Sequence, residues 1–184
     1  MEANALDALP RMLTRLKLTA IRDQLDGLLD EASRRDLTLR EALALFCERE
    51  IARKDERRIS MHLSIAKFPF VRELTGFDFT AQPSLDPKQL RELATGRFVA
   101  NGEAVLLLGP PGVGKTHLAV ALGREVIRAG YSVLFVAAHT LVAQLRKAEL
   151  EHRLEERLAH WTKPKLLIVD ELGYVPLSPT GAEL

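Results

Sequence analysis

The spacing of hydrophobic positions changes once along the chain, near Asn101-Gly102. Before that point Leu6, Leu9, Leu13, Leu16 and Ala20 recur at intervals of three and four, as one face of a helix does. A second helical run starts near Thr38 with Leu39, Ala42, Leu43 and Phe46 and continues through Ile51 to Ile59. Thr38 and Glu41 have the spacing of a capping box at its start. Beyond Gly102 the apolar residues gather into short continuous runs, AVLLLG (104–109), SVLFVAA (132–138) and KLLIVD (165–170). Helical stretches around 115–129 and 140–160 separate them. Strands buried on both faces and alternating with helices predict a parallel α/β sheet.

The segment between the two patterns has its own texture. KFPFVRELTGFDFTAQPSLDP, from Lys67 to Pro87, holds three prolines, one glycine and four phenylalanines, which predicts an ordered linker lying across another surface. A helix over 87–98 follows, with Asp86 as its N-cap and Pro87 at its first position. The expected organisation is a helical domain over 1–66, a linker and flanking helix over 67–100, and an α/β domain over 101–184.

Composition narrows this picture without redirecting it. The 184 residues are 47% hydrophobic and 28% charged, the balance of a chain that can bury a core. The 26 Lys and Arg stand against 25 Asp and Glu, so no global basic field draws the chain to nucleic acid. Residues 1–66 carry 12 basic and 12 acidic side chains, a neutral but heavily charged region. One cysteine, Cys47, rules out an internal disulfide, and no run of about 18 apolar residues exists; the expectation is a cytoplasmic protein with no membrane partner.

Candidate chemistry concentrates in two places. Gly109, Pro110, Pro111, Gly112, Val113, Gly114, Lys115 and Thr116 fit GxxxxGK[ST], directly after an apolar run and directly before a helix. Glycines there let successive backbone N–H groups turn inward around an anion, and the helix adds its positive end. Lys115 can reach terminal phosphates, and the Thr116 hydroxyl can ligand Mg²⁺. The second place is LLIVDE: Asp170 ends a buried run, where α/β sheets bind ligands, and can hold Mg²⁺ with Thr116. Glu171 is the candidate to orient and deprotonate an attacking water. A guanine-reading NKxD is missing, which favours ATP.

LLLGPPGVGKTHLAVALG, GFDFTAQPSLDPKQL and LLIVDELGYVPLSPTGAEL together resemble the IstB-like ATP-binding proteins, AAA+ helper ATPases encoded beside the transposases of insertion sequences and related to DnaC-type and DnaA-type replication ATPases. The resemblance covers most of the chain from about Lys67 to Leu184. It implies an ATP-dependent homo-oligomer that binds duplex DNA and hands it to a transposase. It assigns ATP to 109–116, phosphate contact to Lys115, Mg²⁺ to Thr116 and Asp170, and catalysis to Glu171, and it places the linker and the helix at 87–98 near the adenine. It also implies a sheet of order 5-1-4-3-2, in which a fourth strand lies between the loop strand (104–109) and the acidic strand (165–170). Sequence is present for strands one to three, so the expectation is a C-terminally truncated P-loop sheet, without an assignable sensor or arginine finger and with slow ATP turnover. A helicase loader, and a truncated remnant acting as a binding module, are the alternative readings.

The remaining features carry bland and functional readings side by side. Arg49, Arg53, Lys54, Arg57 and Arg58 form the densest basic cluster, and 49, 53 and 57 make a row that could follow a DNA backbone. Interleaved Glu48, Glu50, Asp55 and Glu56 make intrahelical ion pairs an equal explanation. Leu150, Leu154, Leu158 and Trp161 predict a stripe on one helix over 149–160. His117 could touch nucleotide or a neighbouring subunit, but reads rather as a packed or solvated helix position; Cys47 reads as a small buried hydrophobe, and His62, His139, His152 and His160 show no zinc-ligand spacing.

Overall fold

The computed structural model describes residues 3–174. The chain divides into two compact units, residues 1–58 and 59–184. Unit 1 is helical: α1 (Ala3–Arg15), α2 (Thr19–Asp23), α3 (Leu25–Arg34) and the first part of α4 (Leu39–Ile65). Unit 2 begins in the last turns of α4 and continues with α5 (Pro87–Ala94), α6 (Arg97–Asn101), α7 (Lys115–Arg128), β1 (Val133–Ala137), α8 (Ala138–Leu150), α9 (Leu154–Thr162) and β2 (Leu166–Asp170).

In unit 1 the capping box forms as its spacing predicts. The Thr38 N–H donates to the Glu41 carboxylate at 2.8 Å and the Glu41 N–H to the Thr38 hydroxyl at 3.4 Å, so α4 starts where two otherwise orphaned donors are satisfied. The hydroxyl of Thr38 also donates to Glu41, and with the backbone bond this holds the Glu41 carboxyl below its usual range. The first helix is shorter than its hydrophobic spacing implies. Lys17 sits at φ 57, and the bonds Lys17 N–H to Thr14 C=O and Leu18 N–H to Leu13 C=O close a Schellman motif before Ala20 is reached. Leu13 and Ala20 are buried while Leu16 is 66% exposed, so the expected single face is split over two helices.

Glu50 is a buried charge of this unit, 3% exposed. Its Oε2 accepts the N–H groups of Ala20 at 2.8 Å and Ile21 at 3.1 Å, capping α2 from a distant part of the sequence. Burial pushes its carboxyl up, but the two backbone donors and Lys54 outweigh that, leaving it below the usual range. Cys47 is exposed, not buried as its apolar surroundings suggest, because α4 turns the row containing it away from α2 and α3.

Unit 2 is built around α7, whose Val120, Ala121, Val126 and Ile127 are fully buried. β1 and β2 pair in parallel, Val133 opposite Leu166 through Ala137 opposite Asp170. These are the two runs that the resemblance makes neighbours, strands two and three. On the other edge of β1 the Phe135 N–H donates to the Ala66 carbonyl at 2.8 Å. Trp161 and Leu145 bury against Leu134 and Val136.

The run at 104–109 departs from expectation. It pairs with no strand among the described residues. Val105 and Leu107 pack against the clusters beside α7, whereas Leu106 is 75% and Leu108 87% exposed. The alternation has the period of a strand, but only one face is covered. The expected helix at 149–160 is also broken: His152 at φ 56, with Arg153 N–H bonded to Ala148 C=O and His152 N–H to Glu149 C=O, ends α8 in a Schellman motif. Leu150 is left 82% exposed and Trp161 is buried, so the stripe is not continuous. The helix after Pro87 stops at Ala94, because Gly96 at φ 74 turns the chain before α6. Its predicted cap is present, with Asp86 accepting the Lys88 N–H at 2.8 Å. Residues 175–184, the phrase VPLSPTGAEL, lie outside the described residues.

Candidate nucleotide-binding site

The loop at 109–114 owes its shape to glycine. Gly109, Gly112 and Gly114 stand at φ 154, 82 and 92, conformations that side-chain-bearing residues rarely adopt, and α7 begins at once with Lys115. Gly114 has a second constraint: a Cβ there would meet the Phe77 ring at 2.9 Å.

The candidate side chains follow on the first turn of α7. The Lys115 ammonium folds over the loop and donates to the carbonyls of Gly109 at 2.9 Å and Pro110 at 2.8 Å. The Thr116 hydroxyl donates to Oδ2 of Asp170 at 2.9 Å, a contact across 54 positions of sequence that joins the loop to the end of β2. Glu171 follows at φ 61, an unusual conformation for a non-glycine residue, with its carboxylate 3.8 Å from Nδ1 of His139 at the start of α8. Pro110, Pro111 and Val113 complete the loop between these groups.

The linker holds this assembly from outside, a role that the prolines and phenylalanines only hint at. Phe77 meets Phe79 and His117 edge-on, each at 5.2 Å between ring centroids, and shares a cluster with Leu118 and Leu122 of α7. Glu73 accepts from the Arg124 guanidinium at 2.9 and 2.5 Å and from Arg128 at 2.9 Å, and its own carbonyl lies 3.3 Å from Nε2 of His117. Burial raises the Glu73 carboxyl, but the two guanidinium groups outweigh it and hold it below the usual range. Arg128 also pairs with Glu125, and its guanidinium is pushed up by these carboxylates against the effect of burial. Sequence reasoning missed Glu73, Arg124 and Arg128, whose pairing depends on where the linker crosses α7. His117 is half-buried and packed in this strap, which takes one of the two plain readings that its helix position leaves open.

The basic cluster lies in unit 1 and away from this loop in sequence. Arg49 pairs with Glu31 at 3.5 Å, Arg53 with Glu56 at 3.4 Å, Lys54 with Glu50 at 3.6 Å and Arg58 with Asp55 at 3.4 Å, while Arg57 donates to the Thr19 hydroxyl at 3.1 Å. Among the described residues no helix is long and apolar enough to cross a membrane, and no group of three or more His, Cys, Asp and Glu is placed to hold a metal ion.

A glycine-turned loop opening a helix, its threonine bonded to an aspartate at the end of a parallel strand, defines a P-loop NTPase fold. The chain belongs to the IstB-like ATP binding protein family, which it matches over residues 11–184. It is 42% identical over 168 residues to a protein described as an ATP-binding protein of insertion sequence IS5376 of Geobacillus stearothermophilus, covering 91% of this chain and 67% of that one. It is 43% identical over 173 residues to one so described for IS21 of Pseudomonas aeruginosa (94% and 65%), and 36% identical over 181 residues to one for IS232 of Bacillus thuringiensis subsp. berliner (98% and 72%). The chain thus spans about two thirds of the length of these relatives.

Proposed function

We propose that the chain carries the ATP site of an AAA+ helper of insertion-sequence transposition, which assembles as a homo-oligomer on duplex DNA and engages a transposase. The observation that supports this best is the bond from Thr116 to Asp170, which brings the loop and the acidic strand end to one point. In this reading the backbone N–H groups of 109–116 and the Lys115 ammonium bind the ATP phosphates, Lys115 leaving the carbonyls of Gly109 and Pro110 as it does so. The hydroxyl and carboxylate oxygens of Thr116 and Asp170 are the hard donors that Mg²⁺ takes. Mg²⁺ held there would neutralise charge on the terminal phosphates. Glu171 accepts the proton of the attacking water, with His139 beside it.

The names of the relatives favour transposition over helicase loading. The duplex contact is assigned to Arg49, Arg53, Lys54, Arg57 and Arg58; the exposed pairs of Arg49, Arg53 and Arg58 are each worth at most about 1 kcal/mol and can be exchanged for phosphate. A second reading, nucleotide binding with little turnover by residues 1–184, draws on the open face at Leu106 and Leu108 beside the loop.

Lys115→Ala is expected to weaken ATP binding by about ten- to hundredfold, the loss of charge-assisted bonds to phosphate, measured by titration with a fluorescent ATP analogue. Unchanged affinity would overturn the assignment of the loop. For the DNA contact, Arg53→Ala with Arg57→Ala should lower the dependence of duplex binding on salt, by a slope of roughly 2.

A further inference from the structure

The outer face of α4 in unit 1 carries an apolar row with nothing on it among the described residues. Leu39, Leu43, Cys47 and Ile51 follow at intervals of four, and the three aliphatic side chains are 92%, 62% and 59% exposed. Rows of this spacing are the ridges that interlock in the commonest class of helix packing. Beside them runs a second row, Arg40, Ala44 and Glu48, all exposed. The other Lys, Arg, Asp and Glu side chains of α4 each have a partner, such as Arg49 with Glu31 or Arg53 with Glu56. Among the described residues of this helix, Arg40 and Glu48 alone have none.

Two unpaired charges of opposite sign, two turns apart and with alanine midway, satisfy one geometry particularly well. A copy of the same helix laid antiparallel across a two-fold axis near Ala44 sets each Arg40 against the other Glu48, and the small residue lets the backbones approach. A parallel copy would oppose like charges. We infer that this face of α4 is where a second copy of the chain docks, antiparallel across that axis, through Leu43, Cys47 and two reciprocal Arg40–Glu48 pairs. The inference rests on the homo-oligomeric part of the proposed function, but it needs no nucleotide. A patch of two to three turns is smaller than the roughly 1,000 Å² of a stable interface, so the dimer is a weak one.

The test is sedimentation equilibrium of the 184-residue chain without nucleotide. Arg40→Glu and Glu48→Arg, each placing like charges together at both ends of the contact, should weaken the dimer by about tenfold. The double variant Arg40→Glu/Glu48→Arg should restore it, because the two-fold pairing is recovered with the signs exchanged. Both side chains are exposed and unpaired, so the exchange leaves the unit 1 core intact. Cys47, three residues from the axis, reports the same contact: a short bis-maleimide should join two wild-type or two double-variant chains, and join Arg40→Glu chains poorly. A monomer at all concentrations, or a dimer indifferent to either swap, overturns the inference. Assembly that appears only with ATP and ignores the swap removes this surface and leaves the homo-oligomer standing; no assembly with or without ATP removes both.

Discussion

The runs 104–109 and 165–170 are alike in sequence, AVLLLG and KLLIVD, yet they end in different environments. β2 pairs along its length with β1, and all five of its residues are half-buried. The other run offers Val105 and Leu107 to the cores beside α7 and leaves Leu106 and Leu108 in solvent. The difference shows that apolarity sets which residues can enter a sheet, whereas a strand needs a neighbour to supply its hydrogen bonds and cover its second face.

The strongest way to break the comparison is to remove what supports β2 from behind. Gly123 of α7 has no room for a side chain: a Cβ would lie 2.7 Å from Cδ1 of Ile168 and 3.0 Å from the Phe68 ring. Gly123→Leu is expected to cost about 3 kcal/mol by overpacking, read from the urea midpoint. Ile168→Ala should cost about 2 kcal/mol, since Ile168 packs against the cluster of Val126 and Ile127. The equivalent change on the open run, Leu106→Ala, should stay within about 0.5 kcal/mol, and Leu108→Lys should reduce aggregation, followed by light scattering.

Between these lies the strap. Glu73→Gln weakens the hold of the linker on Arg124 and Arg128, an effect of about 1 kcal/mol for a partly exposed network. The sign with pH follows from the depressed carboxyl. The stabilisation is present above the usual value of 4.5 and is lost as pH falls through the lower folded value, so wild type and Glu73→Gln should converge in acid.

Much of this was legible in the chain because local chemistry and tertiary structure agree. The Thr38–Glu41 box, the Asp86 cap, both paired strands and the glycine loop lie where residue spacing puts them. Helix ends were less legible: Lys17, Asp36 and His152 take left-handed conformations that a reader expects of glycine, and only the chain beyond them makes those stops favourable. The strap was visible as texture but not as contacts, since which arginines meet Glu73 depends on how the linker crosses α7. The exposure of Cys47 had no local signal, because burial depends on which face α4 presents to α2 and α3.

The Thr116–Asp170 junction is one half of the proposed nucleotide site. Its most direct test is equilibrium titration of a fluorescent ATP analogue into the wild-type chain and Asp170→Ala, each with and without Mg²⁺. The expected result is tighter binding with Mg²⁺ in the wild type and no dependence on Mg²⁺ in Asp170→Ala. Identical curves for the two proteins, or no binding to either, would contradict it.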